Sequence, residues 1–438
     1  MRLAIGIPTR NRRDLAMAAV ESVVSSARRE VAVVVSDNST DDHDLEPLRE
    51  LCARHDGVSY VRPPEPLAMP DHWEWLWHRI REAADPTHVA YLTDRMVFTP
   101  GALPDLLAIV ERHPDRVLSY REDRIDDLTT PVQLVQSQWT GQLLELDPRR
   151  LIELSSRGDY GDHLPRMLNS IAPVEVVDAV EERFGDVFRT VSPDYGFAFR
   201  SLTVSGPILY LDRGCLIHYG MLRSAGISYL RARPNDAARD FERRLTSERF
   251  GATPEPRLET IGNAIYQEYC LAREQAGPEW FPPVDLESYL AVNAISATRM
   301  EDPEWRRRTE ALLRERGWTR RRRAQRAAAH ALRIASYFAR HPTAFARSVK
   351  RQLWDRPPGT PAARLLPRLG IDPRIRDDLR FDDVRSAIAY AGAHPRRRTP
   401  YAWHLEPLRR GGAILSAAEP PEPAAAERPV RSPEGAAA

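Results

Sequence analysis

Five consecutive small apolar residues, Val31-Ala32-Val33-Val34-Val35, follow an earlier apolar run over Leu3–Ile7 at the distance of one intervening helix. A strand that is apolar at every position must be covered on both faces, which is the situation of a parallel strand between helical layers. Between the two runs, Leu15, Ala18, Ala19, Ser22 and Val23 recur at helical spacing within residues 13–29. A polar turn from Ser36 to Asp42 comes next, then a helical pattern over 44–55 and the short run Val58-Ser59-Tyr60-Val61. This β-α-β-α-β order predicts a parallel sheet with right-handed crossovers. Ligands of such sheets bind outside the carboxyl ends of the strands. Pro8-Thr9-Arg10-Asn11 and Ser36-Asp37-Asn38-Ser39 stand at those ends.

Further along, residues 71–84 read as a helix with Trp73, Leu76, Trp77 and Ile80 on one face and Asp71 as its N-cap. That stripe is expected in the core rather than as a stacking platform. His88–Leu92 reads as a buried strand ending in Thr93-Asp94-Arg95, and Pro100 to Arg112 as a helix. Residues 116–146 are strand-rich and 148–188 helical; Val191–Gly196 is a turn, and Ile208–Leu211 and Cys215–His218 are two short strands. Helical pattern dominates beyond Ser228, and Glu304 to Arg351 is arginine-rich. Pro357, Pro358, Pro361 and Pro367 mark a break before a helical piece over 372–393. The Ala-, Pro- and Glu-rich end has the composition of a disordered tail.

The 438 residues carry a net charge of only +1, so bulk charge gives no reason to invoke nucleic acid. Lys350 is the one lysine, an arginine bias of the kind GC-rich coding produces. Cys52, Cys215 and Cys270 lie far apart with no C-x-x-C pair, which argues for reduced thiols in a cytoplasmic protein rather than a disulfide framework or zinc site. The first apolar stretch is too short for a signal peptide, and no apolar run reaches the ~18 residues of a membrane span.

Ile5-Gly6-Ile7-Pro8-Thr9-Arg10-Asn11-Arg12, a helix, and then Val33-Val34-Val35-Ser36-Asp37-Asn38-Ser39-Thr40-Asp41-Asp42 together resemble the opening of bacterial family 2 glycosyltransferases. The resemblance covers about residues 1–230 and implies a GT-A-type α/β fold: a mixed, mainly parallel sheet flanked by helices, here with a helical C-terminal extension. It divides the chain into a catalytic domain over 1–230, with a nucleotide-binding half (1–115) and an acceptor half (116–230). A helical continuation (231–300), an arginine-rich helical region (301–415) and a tail (416–438) follow. The implied activity is transfer of a sugar, with inversion, from a UDP- or dTDP-sugar to a saccharide or lipid-linked acceptor in cell-surface polysaccharide or glycolipid assembly. The implied donor-binding residues are Pro8, Thr9, Arg10, Asn11, Asp37 and Asn38, with Asp37 accepting from ribose hydroxyls or a base N–H; a capping role is the alternative for Asp37. Asp41 and Asp42 fit helix starts better than ligands.

Tyr91-Leu92-Thr93-Asp94 looks like the strand that carries the family's acidic metal motif, but the triplet here is Thr93-Asp94-Arg95, with a single carboxylate. Two readings stay open. Asp94, joined by His218, binds Mn²⁺ or Mg²⁺; or Arg95 clamps the diphosphate itself. Ser192-Pro193-Asp194-Tyr195 looks like the turn carrying the catalytic base, with Asp194 as that base and Asp159 and Asp162 as rivals. Arg223 and Ser224 stand in a loop able to close over donor. A degenerate nucleotide-sugar binder or scaffold is the alternative function; a sugar nucleotidyltransferase lacks its expected Gly-rich loop. The clusters Arg306–Arg308 and Arg320–Arg323 suit either a peripheral contact with an anionic membrane surface or a solvated helical appendage.

Overall fold

The computed structural model describes residues 1–26, 31–40, 45–128, 130–136, 139–231, 238–239, 251–343, 346, 379–394, 405–409 and 412–417. Asp41, Asp42, the proline-marked break over 357–367 and the tail from 418 onward lie outside them.

The predicted opening is present as β1 (Leu3–Thr9), α1 (Arg13–Val24), β2 (Val31–Asp37), α2 (Glu46–Ala53) and β3 (Val58–Val61). Next come α3 (Met69–Ala84), β4 (His88–Tyr91), β5 (Met96–Phe98) and α4 (Ala102–Arg112). β1 lies between β2 and β4, parallel to both, with Thr9 opposite Asp37 and Gly6 opposite Tyr91. The carboxyl ends of these strands therefore emerge at one edge.

The second half adds β6 (Leu118–Asp126), β7 (Val132–Val135), β8 (Gln142–Leu146) and α5 (Pro148–Ser156). β9 (Ser170–Pro173), α6 (Val174–Phe184), α7 (Pro193–Ser201), β10 (Ile208–His218) and α8 (Ala225–Leu230) follow. Then come α9 (Ile261–Ala276), α10 (Leu286–Thr298), α11 (Pro303–Glu315) and α12 (Arg320–Arg340). β11 (Arg380–Phe381), α13 (Val384–Ala393), α14 (Glu406–Arg409) and β12 (Ala413–Ala417) end the described chain. The main path of the sheet runs β12-β8-β10-β6-β9-β4-β1-β2-β3. β9 is antiparallel to β4 and β6, and β8 to β10 and β12. The other strands of this path share one direction, while β5 and β7, which pair with β10 and β6 off the path, run against them, so the sheet is mixed and mainly parallel, as expected.

Alternation along β1 and β2 explains why both are apolar throughout. Ala4 and Val34 pack with Trp73, Leu76, Trp77 and Ile80 of α3. Leu3, Ile5, Ile7, Val33 and Val35 pack on the opposite face with Ala16, Ala19, Val20 and Val23 of α1. Gly6 has a steric reason: a Cβ there would stand 2.8 Å from Ile80 Cδ1 and 3.1 Å from Leu76 Cδ2, so a side chain would require these α3 side chains to shift. The stripe on α3 is core, each such side chain contributing about 1.5–3 kcal/mol by burial.

Three boundaries differ from the sequence reading. α3 starts at Met69 with Pro70 in its first turn, which leaves Asp71 inside the helix rather than at its N-cap. Asp194 is likewise inside a helix: Pro193 opens α7 and Asp194 sits in its first turn. The two short strands expected over 208–218 are one strand, β10, whose pairing with β6 slips on either side of Gly214.

Candidate active site

A cavity of about 530 Å³ opens at the carboxyl edge of the parallel strands. The loop after β1 supplies Pro8, Thr9, Arg10, Asn11 and Arg12; β2 leads to Asn38; Thr93, Asp94 and Arg95 follow β4; Glu122 comes from β6 and His218 from the end of β10. Asp194 and Tyr195 enter from the first turn of α7, and Arg166 from the segment before β9.

Short-range bonds tie the loops together. Asn11, at φ 54°, donates its backbone N–H to Ser39 Oγ at 2.8 Å and accepts the Thr40 N–H at 3.0 Å. The Asn38 amide pairs with both backbone groups of Leu67, at 2.8 Å each, and Arg10 adds a bond to the Leu67 carbonyl. Asp37 is placed apart from the other candidates. It does not line the cavity, and its carboxylate accepts from Ser39 N–H, Ser39 Oγ and Tyr60 OH. Its visible role is to fix the loop that presents Asn38.

Asp94 is fully buried. Its Oδ2 accepts from Thr9 Oγ1 and meets Arg12 Nε, both at 2.8 Å, while Oδ1 is buried without a hydrogen-bond partner. His218 Nε2 is also buried and unpartnered. Burial, then Arg95, Arg166 and Arg124, hold the His218 imidazole well below its usual pKa, so it is a neutral donor of the kind metals require. The Arg95 guanidinium is pushed down to about 10 by burial and by Arg12, and its Nη1 is unpartnered. An unpaired buried carboxylate oxygen, imidazole nitrogen and guanidinium in one cavity amount to unmet polar demand that a charged ligand can meet.

Burial pushes the Asp194 carboxyl up, while Arg166 and the backbone N–H groups of Tyr195 and Asp194 itself work against that rise. Arg166 stands 3.3 Å from Asp162 and 3.7 Å from Glu122, with its guanidinium over the Tyr195 ring. Of the rival bases, neither Asp159 nor Asp162 lines the cavity, and Asp162 is engaged by Arg121 and Arg166. Arg12, Glu122, Arg166, His72 and the isoleucines Ile261 and Ile265 of α9 also line it; of these, only Arg12 falls within a motif that the sequence made visible. Another acid–histidine grouping, Glu74, His78 and Glu181, lies outside the cavity lining, and Glu74 is held by the N–H groups of Val187 and Phe188.

A parallel α/β sheet places its ligand cleft at the carboxyl edge of the strands, and here that cleft is lined by acidic and basic side chains. Residues 4–158 match the family model described as glycosyl transferase family 2, so the family 2 resemblance of the opening motifs is shown over that segment. No curated protein matches the chain. Among solved structures, S. aureus TarS is similar at 13% identity and TM-score 0.40, over 71% of this chain and 50% of that one. The chain thus spans half the length of that TarS chain. TarS 1–349 in complex with UDP-GlcNAc is similar at the same identity and TM-score, over 71% and 84%.

Proposed function

We propose that this protein transfers a sugar from a nucleoside diphosphate donor, UDP- or dTDP-linked, to an acceptor hydroxyl with inversion. The observation that carries the reading is one cavity bringing Asp94, Arg95 and His218 together with the carboxylate of Asp194. Asp194 takes the acceptor proton as the hydroxyl oxygen forms its bond to the anomeric carbon. The bond from that carbon to the diphosphate breaks, and its electron pair leaves with the diphosphate. Arg95 and Arg12 offer guanidinium groups to the phosphates.

Family 2 enzymes commonly use a divalent metal, and the residues present fit one. Asp94 Oδ1 and His218 Nε2 are unpartnered and line one cavity, and the His218 imidazole is held neutral, the form that binds metal. A Mn²⁺ or Mg²⁺ ion held there would offset charge on the departing diphosphate. The second reading, a catalytically degenerate nucleotide-sugar binder, draws on the Arg12 ion pair that already engages Asp94. Thermal denaturation with UDP or dTDP and Mn²⁺ tests the donor site. A ligand at ~100 times its Kd should add about 2.7 kcal/mol of stability. That gain should vanish with chelator and in Asp94→Ala. No stabilisation by any nucleoside diphosphate would overturn the reading.

Two finer elements belong to the same proposal. The cysteines are free and buried, which suits a reducing cytoplasm, and no helix among the described residues is long and apolar enough to cross a membrane. α12 carries seven arginines and no acidic residue; Leu332 is 71% exposed, and Tyr337 is the buried residue of the helix. Each arginine near an anionic lipid surface is worth about 1 kcal/mol at low salt. The protein should therefore sediment with phosphatidylglycerol vesicles but not with phosphatidylcholine vesicles, and release at high salt. Equal recovery with both would remove peripheral contact from the proposal.

A further inference from the structure

We propose that Glu74, His78 and Glu181 form a zinc site between α3 and α6. It is separate from the donor cavity, which none of the three residues lines, and it does not depend on the transferase reading.

Two helices bring the donors together. Glu74 and His78 are four residues apart on α3 and so share one face. Glu181 comes from α6. α6 is held beside that face by Arg81, which donates to both Asp178 oxygens at 2.9 and 2.7 Å, and by the Trp77 indole N–H, which donates to Glu181 Oε2 at 3.0 Å. His78 Nε2 then lies 3.9 Å from Glu74 Oε1 and 3.8 Å from Glu181 Oε1. One donor atom from each of the three residues falls within 4.8 Å of the others.

Those separations are too long for hydrogen bonds. They are close to the spacing of ligands around an ion: atoms about 2.0–2.2 Å from zinc stand roughly 3.4 Å apart at tetrahedral angles. Both carboxylates are also oriented from behind. Glu74 Oε2 accepts the Phe188 N–H at 2.7 Å and the Val187 N–H at 3.1 Å, and the Val187 N–H also reaches Oε1 at 3.2 Å. Glu181 Oε2 is taken by Trp77, which leaves its Oε1 toward His78. Donors of this kind, set behind a ligating carboxylate, fix its orientation at metal sites. Among the described residues neither carboxylate pairs with an arginine; His78 is the basic group beside both. Glu74 is 2% exposed, and a buried carboxylate without a cationic partner is costly. A divalent ion would supply the missing charge. The His78 and Glu181 side chains are 46% and 35% exposed, so the ion enters from solvent and water takes the fourth position. One imidazole with two carboxylates suits zinc, whereas Mg²⁺ and Ca²⁺ favour shells of oxygen alone. The bound ion would tie α3 to α6 and steady the Val187–Phe188 segment that leads into α7.

Calorimetric titration of the chelator-stripped full chain with zinc chloride tests the site. Asp94→Ala serves as the parent, since it removes the carboxylate of the donor cavity. One equivalent of zinc should bind to that parent and raise its thermal midpoint by mass action. His78→Ala, added at a half-exposed position, should weaken binding at least about tenfold, the least that loss of even an outer-shell partner costs. Glu181→Gln keeps the side-chain size and an acceptor for Trp77 but removes a charge, and it should weaken binding by at least as much. Absence of zinc binding in Asp94→Ala would overturn the proposal. Binding within tenfold of the parent in either added variant would also overturn it, because the zinc would then sit elsewhere. Failure of a nucleotide to stabilise the protein would count against the donor site alone and leave this comparison standing.

Discussion

Asp194→Asn should lower sugar transfer by about 10²–10⁴-fold, the usual contribution of a positioned general base, while nucleotide-dependent stabilisation of the protein stays intact. Asparagine keeps the size of the side chain and its place in the first turn of α7, but it cannot accept the acceptor proton. The environment favours the role in two ways. Burial raises the carboxyl above the ordinary aspartate range, which makes it a better proton acceptor once ionised, and Arg166 together with the first N–H groups of α7 keeps the ionised form accessible. The sign of the pH dependence follows. The base works deprotonated, so the rate should climb as pH rises through the raised Asp194 pKa and level off above it. Release of nucleoside diphosphate with and without acceptor, measured across pH for wild type and variant, gives both results. Transfer within tenfold of wild type in Asp194→Asn would move the role to Glu122, the other unassigned carboxylate of the lining. Full loss with retained nucleotide binding would exclude the scaffold reading.

How far the sequence reached depended on whether a feature was local. β1 and β2 were legible because five small apolar residues in a row admit few other environments, and the register between them then brings Thr9 level with Asp37. The stripe on α3 was legible from spacing alone. Asp37 shows where local reading stops: nothing near it reveals that Tyr60, on β3, donates to its Oδ2. Arg166 carries no motif; it stands in the segment just before β9, from which the fold brings it to Asp194 and to Glu122 on β6. Ile265 is separated by seventy residues of chain from Asp194, with which it lines the cavity, and its apolar character suits a core helix equally well in sequence. β10 was divided in two because Asp212-Arg213-Gly214 looks like a turn, whereas the slip in pairing absorbs it and Asp212 is buried against Thr140 and Arg121. Long-range partners, then, decided what short-range patterns could only nominate.

Glu268→Gln should make the protein more stable than wild type above pH 7 and remove a large part of its stability loss between pH 5 and 8. Burial raises the Glu268 carboxyl to about 7, although the Ser192 N–H, the Thr190 hydroxyl and Arg200 all favour its ionised form; Asp194 adds to the rise. In the unfolded chain the same group titrates near the ordinary glutamate value of 4.5. Between these values the folded state holds the proton and the unfolded state does not, so stability falls as pH rises through the window. A shift of this size corresponds to about 3 kcal/mol, lost progressively and complete once pH exceeds the folded pKa. Glutamine is the neutral mimic: its carbonyl can still accept the Ser192 N–H, but it never has to ionise in the interior. Glu74, Asp162 and Asp194 are raised in the same direction, so wild type alone would show a composite slope. The difference between wild type and variant isolates Glu268. Urea unfolding at pH 5 and pH 8 measures it, with parallel curves at both values refuting the assignment. Because Ser192 precedes Pro193 and Asp194, the same titration should alter how firmly the start of α7 is held, and a second, smaller step in the pH–rate profile that disappears in Glu268→Gln would connect the buried carboxyl to the base.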